Sequence, residues 1–420
     1  MELTIPKLAF FGIGGSPEYH TSNYDGTFTL SQSCLVPSSF KPRSVDAADF
    51  DGDGKDDLVI GTDRVNYVML SSSNQFCDFI PLDLGSDAFL DRYDDVEAAD
   101  MDNDGNIDII VVGSFGTKNF LKNGESGGAQ DTLINVPPPS SGSLNPSAIC
   151  LYDFNGDGFL DAVESYKNSE GPVALHLNDE KGILKFEKFI HGTVGQYLNC
   201  EIADLDGDGD MDVVVGKLFG NVAILRNEGN LNFTPIELNG SEGYVGIGDF
   251  NNDGNIDIVT QESYGQSEKG ATYIWKNNGS GEFVRDEELF STETASTQFN
   301  IVDLDEDGRL DIILATFEDG AFVFKNNGYG SLASPSFTEI GISTEIPNIF
   351  GMALMDPITK SMSPSLTPSV STSPSISPVQ LPSAAPSLQP SSSPAKQKSG
   401  KKRKKRRGKG SKKSSKSGKS

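Results

Sequence analysis

The sequence predicts an all-β fold: a seven-bladed β-propeller that is closed by its N- and C-terminal strands and followed by a disordered tail. An Asp-rich loop pattern recurs six times at spacings of 51, 53, 51, 45 and 54 residues, and this period is the size of a four-stranded blade. Short apolar, β-branched runs lie between Gly-containing turns, which is typical of strands. No stretch has the sustained 3.6-residue period of an amphipathic helix.

The repeated loop reads Asp-x-Asp/Asn-x-Asp-Gly-x-x-Asp and is followed each time by an apolar run. A strand-like run such as residues 109–112 follows the loop, and then comes a turn with Gly. A second run ends in Asn-x-Gly, as in residues 222–229. This order predicts hairpin-linked strands in every repeat. The six loops begin at Asp49, Asp100, Asp153, Asp204, Asp249 and Asp303.

The two ends of the repeat region together supply one further period. Residues 350–356 resemble the strand that leads into a loop, and residues 7–11 resemble the later strand at 321–324. We therefore expect a seventh blade assembled from both ends, which pairs strand edges that would otherwise be exposed. This seventh blade has no complete Asp-rich loop.

The Asp-rich loops predict Ca²⁺ sites. Calcium takes six to eight oxygen ligands, and side chains at loop positions 1, 3, 5 and 9 can converge on one ion with the carbonyl of position 7. Glycine at position 6 permits the sharp turn. The loops contain no Cys or His, which favours a hard cation over zinc or copper. We expect up to six Ca²⁺ ions.

The predicted ligands have the same arrangement in every loop, and the fourth residue of each set contributes its backbone carbonyl. They are Asp49, Asp51, Asp53, Lys55 and Asp57; Asp100, Asp102, Asp104, Asn106 and Asp108; Asp153, Asn155, Asp157, Phe159 and Asp161; Asp204, Asp206, Asp208, Asp210 and Asp212; Asp249, Asn251, Asp253, Asn255 and Asp257; and Asp303, Asp305, Asp307, Arg309 and Asp311.

Two alternatives explain the loops less well. An EF-hand needs Glu at position 12 and flanking helices, whereas the flanks here are strand-like and only one of the six residues at position 12 is acidic. Ordinary Asp-Gly turns without metal would explain one match but not six in register. The residues at position 12 are Ile60, Val111, Glu164, Val215, Thr260 and Leu314.

The charge of the chain is divided between an acidic body and a basic tail. Residues 1–359 hold 60 acidic and 19 basic residues, a net charge of −41, and the remainder holds 15 Lys and Arg with no acid. Repulsion of this size opposes folding unless cations bind. We predict a propeller at 1–358, a disordered Ser/Pro-rich linker at 359–395 and a disordered Lys/Arg-rich tail at 396–420.

The basic tail admits three interpretations. Residues 401–407 (Lys-Lys-Arg-Lys-Lys-Arg-Arg) match a nuclear-localisation or nucleic-acid patch, and the Lys/Ser stretch at 411–420 is similar in composition to silica-associated wall peptides. We favour a third hypothesis, an arm that binds polyanions such as acidic polysaccharide, mineral or nucleic acid. Such binding weakens steeply with salt.

The cues for location conflict. The first residues lack the basic and apolar regions of a signal peptide, and no apolar run is long enough to cross a bilayer. Weak Asp-loop sites fill only at extracellular Ca²⁺ levels, so we expect an extracellular or cell-wall protein whose signal sequence is missing here, with the nucleus as the alternative. The four cysteines are expected as small buried residues, and one or two disulfides remain open. They are Cys34, Cys77, Cys150 and Cys200.

At the six loops and the Gly/aromatic pattern between them, residues 1–356 resemble the FG-GAP/VCBS repeat family. These repeats form the seven-bladed propeller of integrin alpha subunits and of many secreted microbial proteins. The resemblance implies the propeller and Ca²⁺ binding, and it carries over only the Asp and Asn ligands named above. The family includes adhesion heads, lectin-like modules and enzyme accessory domains, so it does not specify an activity.

The favoured function is a non-catalytic, monomeric binding or adhesion module that docks a protein or a glycan on a propeller face. The alternative is a propeller-based polysaccharide lyase or hydrolase, or an accessory domain of one. The sequence contains no HExxH motif, and it has no helical stretch of the kind that a nucleophile elbow needs. His20, His176 and His191 are scattered, and we predict no catalytic residue.

Overall fold

The propeller is seen in a computed structural model. The predicted linker, the basic tail, Asp356 and Cys77 lie outside the residues that it describes. The described residues are 7–12, 17–23, 25, 27–34, 40–63, 65–71, 79–82, 93–113, 116–121, 132–136, 145–167, 172–192, 196–261, 270–286, 288–292, 296–316, 320–328, 336–342 and 349–355.

The described strands form seven antiparallel sheets, and no helix occurs among the described residues. Each sheet is one blade, and in blades 1 to 6 the first four strands follow chain order from the inside outwards. Blades 1 to 3 consist of β4 (Pro42–Ala48), β5 (Asp57–Thr62), β6 (Tyr67–Met69) and β7 (Ile80–Pro81); β8 (Tyr93–Ala99), β9 (Asp108–Gly113), β10 (Gly116–Leu121) and β11 (Thr132–Val136); and β12 (Pro146–Tyr152), β13 (Asp161–Tyr166), β14 (Pro172–Asn178) and β15 (Leu184–Gly192).

The remaining blades have the same order, and blade 5 carries one extra short strand. Blades 4 to 6 consist of β16 (Tyr197–Ala203), β17 (Asp212–Lys217), β18 (Val222–Asn227) and β19 (Phe233–Leu238); β20 (Tyr244–Gly248), β21 (Asp257–Gln261), β22 (Gly270–Asn277), β23 (Phe283–Arg285) and β24 (Phe290–Thr292); and β25 (Ser296–Val302), β26 (Asp311–Thr316), β27 (Ala321–Asn326) and β28 (Phe337–Ile342).

Blade 7 is built from both ends of the repeat region, as the sequence predicts. Its inner strand is β29 (Ile349–Met355), and the outer three are β1 (Lys7–Gly12), β2 (Glu18–Ser22) and β3 (Phe28–Ser33). β1 pairs with β29 in antiparallel register, with Ala9 opposite Ala353. The predicted all-β seven-bladed fold and its closure are therefore confirmed.

The first strands of the seven blades contact one another in order and close into a ring. The apolar core lies between adjacent blades. At the closing junction, for example, Leu8 of β1 packs with Val302 and Ile313 of blade 6, and all three side chains are buried. Each described blade therefore buries apolar residues against its neighbours in the ring.

Carboxylates are concentrated on this inner ring. Asp46 accepts a hydrogen bond from the Ala98 amide of the next blade (2.9 Å), and Asp95 accepts one from the Ile149 amide (3.1 Å). Burial raises the pKa of Glu201 to about 8. Burial, and then repulsion by Asp46 and other acids, raises the pKa of Glu97 well above its usual value. The ring therefore combines cross-blade hydrogen bonds with closely spaced acids.

A disulfide joins blades 3 and 4 on the same ring. Cys150 of β12 is bonded to Cys200 of β16, with Cα atoms 6.1 Å apart, and Cys34 is also in a disulfide. Cys34 and Cys200 are buried, as expected, and the disulfide that the sequence left open is present at these residues. Cys150 and Cys200 occupy similar positions before two consecutive Asp-rich loops. They lie close together because consecutive inner strands are neighbours in a propeller.

The three histidines are buried in strands. His20 contacts Glu18 (2.9 Å), and His176 contacts Glu164 (2.9 Å). His191 lies near Lys217, and burial lowers the pKa of this histidine. Within the residues that the structure describes, no helix is long and apolar enough to cross a membrane.

Candidate metal centres

The six Asp-rich loops connect the first and second strands of blades 1 to 6, so they lie on one rim of the propeller. We number them loop 1 (49–57), loop 2 (100–108), loop 3 (153–161), loop 4 (204–212), loop 5 (249–257) and loop 6 (303–311). The glycine at position 6 has a φ between +81° and +94° in every loop. This left-handed conformation costs glycine little, and it explains why position 6 is Gly throughout.

Position 1 organises each turn through its carboxylate. In loop 2, Asp100 accepts hydrogen bonds from the amides of Asp104 (3.1 Å) and Gly105 (2.9 Å). The bond from the position 6 amide occurs in all six loops, at 2.7–3.1 Å. In loops 1 and 4, the carboxylates of positions 1, 3 and 5 offer atoms that lie within 4.8 Å of one another.

Position 9 opens the second strand of each blade and is fully buried in all six loops. In loop 6, Asp311 accepts hydrogen bonds from the amides of Leu304 (3.1 Å) and Asn326 (2.8 Å). Burial raises the pKa of Asp161 to about 6 and of Asp311 to about 7. This carboxylate therefore holds the loop as well as offering a ligand, a role that the sequence pattern did not indicate.

The donor set fits a hard divalent cation. In loops 1, 2, 4 and 6, three carboxylate groups offer ligand atoms within 4.8 Å of one another. Asp49 Oδ1 and Asp305 Oδ1 are buried without a hydrogen-bond partner, which a bound cation would satisfy. Burial, and next the charge of Asp104, raises the pKa of Asp102. All predicted ligand atoms are oxygens, as calcium prefers.

Loops 3 and 5 carry an amide at position 3. Asn155 Oδ1 accepts the Asp157 amide (2.8 Å), and Asn251 Oδ1 accepts the Asp253 amide (2.8 Å). The corresponding aspartates make the same bond elsewhere, for example Asp206 with the Asp208 amide (3.3 Å). The amide loops therefore keep the same fold with one charge fewer.

All thirty predicted ligand residues lie in the described part of the chain, five in each loop.

In two loops, a basic side chain from the third strand of the same blade contacts the carboxylate at position 3. Arg226 Nε lies 3.3 Å from Asp206, and Lys325 contacts Asp305. An ion at loop 4 or loop 6 would share that carboxylate with a basic side chain.

Sequence reasoning missed the asparagine at the end of the third strand. Asn277 donates from Nδ2 to the carbonyls of Leu205 in loop 4 (2.6 Å) and Ile256 in loop 5 (3.0 Å). The signal was the recurring Asn-x-Gly, which we interpreted only as a turn. The first residue of this motif in fact connects two Asp-rich loops.

A cleft of about 560 Å³ opens between loops 3 and 4. Its aromatic wall is formed by Tyr152 and Phe154, whose ring centroids are 5.3 Å apart. Carboxamides and carboxylates also line the cleft, and the lining residues in the described part of the chain include no Lys, Arg or His. The lining residues are Tyr152, Asp153, Phe154, Asn155, Gly156, Gly209, Asp210, Met211, Asn227, Asn230 and Leu231.

Comparison with known families matches the same six repeats. A family model described as an FG-GAP-like repeat matches residues 8–60, 49–111, 100–164, 153–215, 204–260 and 249–314. Each matched stretch after the first begins at position 1 of one loop, and every stretch ends three residues beyond position 9 of a loop. The model therefore follows the period read from the sequence.

Three solved structures share the fold at low identity. A lectin from Agrocybe aegerita that recognises non-reducing terminal N-acetylglucosamine is 19% identical, with a TM-score of 0.57 over 83% of this chain and 92% of the lectin. A putative 6-phosphogluconolactonase from Bacteroides uniformis is 12% identical (TM-score 0.57, 84% and 100% covered). A Lactobacillus plantarum protein is 11% identical (TM-score 0.58, 84% and 99% covered).

Proposed function

The chain belongs to the FG-GAP-like repeat family, and from this premise we propose that it is a calcium-loaded, non-catalytic propeller that binds a glycan. The observation that carries the proposal is the cleft between loops 3 and 4, which combines an aromatic wall with amide and carboxylate groups. Bound calcium would hold both loops in place and so shape this cleft.

The chemistry of the loops supports calcium as the resident ion. Up to six ions would be held by the side chains at positions 1, 3, 5 and 9 and the carbonyl at position 7. They would change the net charge of residues 1–359 from −41 to −29. Neutralising carboxylates that repel one another adds the free energy of binding to the free energy of folding.

The lining of the cleft supports a sugar as the ligand. Aromatic faces such as those of Tyr152 and Phe154 pack against the C–H groups of a sugar ring. The side-chain amide of Asn230, which is exposed, can donate hydrogen bonds to sugar hydroxyl groups and accept them. The volume lies within the range of small-molecule sites. The lectin from Agrocybe aegerita offers a precedent for sugar recognition on this fold.

We propose a surface or matrix role outside the cell for the whole chain. The Cys150–Cys200 disulfide favours an oxidising compartment, and weak calcium loops fill at extracellular ion levels. In this proposal the basic tail (396–420) anchors the propeller to an acidic polysaccharide or another polyanion. Loss of retention in high salt, and on deletion of 396–420, would test the anchor.

A glycan array probed with the full-length protein, in about 2 mM calcium and in EDTA, tests the glycan proposal. This calcium concentration is at about the upper end of the extracellular range. We expect sugar binding that requires calcium and is lost in Phe154→Ala. Phe219→Ala is the matched control, because Phe219 is an exposed aromatic residue in blade 4 away from the cleft lining. Equal binding by the two variants, or turnover of a polysaccharide, would contradict the proposal.

A further inference from the structure

The metal loops of adjacent blades are joined by a buried side chain. Asn277 ends the third strand of blade 5, is 4% exposed, and lies between loops 4 and 5. Its Nδ2 group has two hydrogens, and both are used: one for the Leu205 carbonyl and one for the Ile256 carbonyl. Leu205 is position 2 of loop 4, and Ile256 is position 8 of loop 5.

These two carbonyls lie beside metal ligands. Position 2 is flanked by the ligands at positions 1 and 3 of loop 4, and position 8 by those at positions 7 and 9 of loop 5. The other groups of Asn277 are also fixed: its amide donates to Asp257 Oδ1 (2.9 Å), and its Oδ1 accepts the Gly279 amide (2.9 Å). A displacement of either loop must therefore move the asparagine or break a buried hydrogen bond.

The same arrangement recurs at two other junctions. Asn178 donates to the carbonyls of Met101 in loop 2 and Leu160 in loop 3, both at 2.9 Å. Asn326 donates to Phe250 in loop 5 (3.3 Å) and Leu310 in loop 6 (3.2 Å). Position 2 of one loop and position 8 of the next are joined each time.

A second cross-loop bond supports two of these junctions. The Asn103 side chain in loop 2 donates to the Gly158 carbonyl in loop 3 (2.8 Å), and Asn252 in loop 5 donates to Gly308 in loop 6 (3.0 Å). Both bonds run from position 4 to position 6, so they join the loop tips whereas the buried asparagines join the loop bases.

The junction between blades 3 and 4 differs. Asn227 occupies the equivalent position, and its amide donates to Asp212 Oδ1 (2.7 Å). Within the described residues, its Nδ2 makes no hydrogen bond to the neighbouring loop, and the residue lines the cleft instead. The Cys150–Cys200 disulfide joins the inner strands of these two blades.

We propose that Asn178, Asn277 and Asn326 are positioning residues that couple calcium binding between adjacent loops, and that the junction of blades 3 and 4 interrupts this coupling. The inference rests on the calcium binding proposed above. An ion that orders loop 5 fixes the Ile256 carbonyl, and through Asn277 it fixes the ligand-bearing turn of loop 4. A loop that is already ordered loses less conformational entropy when its own ion binds.

The test disables one loop and observes its neighbour by hydrogen exchange. Asp253→Ala removes the exposed position 5 ligand of loop 5, and calcium-dependent protection of the amides in 204–212 is then measured. We expect the calcium concentration for half-maximal protection of loop 4 to rise about tenfold, a common size for coupling between sites. In an Asn277→Ala background, adding Asp253→Ala is expected to leave loop 4 unchanged.

The matched control uses the interrupted junction. Asp208→Ala disables loop 4, and protection of loop 3 (153–161) is expected to stay at its original calcium midpoint, with or without Asn227→Ala. A general loss of stability would affect both junctions alike, so this contrast separates positioning from a merely structural role. A shift in loop 3 equal to that in loop 4 would overturn the inference.

The outcomes also separate this inference from the proposed function. If no loop gains protection with calcium, the calcium proposal itself fails. If every loop gains protection but Asp253→Ala leaves loop 4 unaffected, calcium binds and the coupling is wrong. Should Asn277→Ala not fold, the next junction gives the same comparison. There Asp307→Ala disables loop 6, Asn326→Ala removes the connecting asparagine, and the calcium-dependent protection of the loop 5 amides (249–257) is measured.

Discussion

The Asn227 backbone amide donates a 2.7 Å hydrogen bond to Asp212 Oδ1, which joins loop 4 to the end of the third strand of blade 4. The other carboxylate oxygen of Asp212 accepts the Leu205 amide at 3.0 Å. Both oxygens are thus bonded to buried backbone groups even without an ion. Position 9 therefore has a structural role in the fold that does not depend on a bound ion.

We predict that Asp212→Ala destabilises the propeller by about 3 kcal/mol even in EDTA, because it leaves two buried amides unpaired. Asp208→Ala removes an exposed carboxylate from the same loop and is expected to cost less than about 0.5 kcal/mol in EDTA. Urea unfolding of both variants, with and without calcium, provides the measurement. If the two variants unfold alike in EDTA, position 9 has no separate structural role.

Calcium should stabilise the protein more as the pH rises. Burial raises the pKa of Asp212, Asp257 and Asp311 to about 7 in the ion-free protein. Between the unfolded pKa and this value, the folded state holds protons on these aspartates that the unfolded state has released. The stability that this proton binding adds is full below the unfolded pKa and is lost as the pH rises through about 7. Calcium bound at these carboxylates would displace the protons.

The expected result is a calcium-induced rise in Tm that is small at pH 5 and large at pH 8. Differential scanning calorimetry in calcium and in EDTA measures it at each pH. Magnesium at equal ionic strength is the control, since it fits less readily into a cage built from protein oxygens. The same calcium effect at both pH values would contradict the assigned pKa shifts.

The inner ring gives a second pH dependence that does not involve calcium. Burial raises the pKa of Glu201 to about 8, so its contribution to stability is present in acid and is lost as the pH rises through that value. We expect the Tm in EDTA to fall between pH 6 and pH 9, and to fall less in Glu201→Gln. Glu339→Gln, on the exposed face of β28, should follow the wild type.

Loss of the Cys150–Cys200 disulfide should weaken the ring. The bond closes a sequence separation of 50 residues, for which the chain-entropy model gives about 4 kcal/mol. We expect the double variant Cys150→Ser/Cys200→Ser to lose about this amount in urea unfolding without reductant. Because Cys34 is left intact, the result is specific to the junction of blades 3 and 4. A variant as stable as the wild type would show that blade packing alone holds this junction.

The period of the Asp-rich loops was enough to predict the propeller, because each repeat carries its own strand and turn signals. The closing blade followed from two incomplete repeats at the ends. The cross-blade contacts did not follow from the sequence. The pairing of Cys150 with Cys200 and the two bonds of Asn277 depend on how consecutive blades are placed, and a repeat pattern describes one blade at a time.

The closing junction gives the most direct test of the fold. Leu8 is fully buried, and as a residue of β1 it packs against Val302 and Ile313 of blade 6. Removing most of its side chain leaves a cavity between blades 6 and 7. We expect Leu8→Ala to cost about 3 kcal/mol.

Leu30→Ala provides the matched comparison in the same blade, because Leu30 lies on β3 and is 48% exposed. A change at such a surface position is expected to cost at most about 0.5 kcal/mol. Urea unfolding measured by tryptophan fluorescence reports on both, since Trp275 is buried in blade 5. A single cooperative transition shifted only in Leu8→Ala means that the N-terminal strand closes the whole ring. If the Leu8→Ala transition matched the wild type, β1 would not be part of the cooperative core.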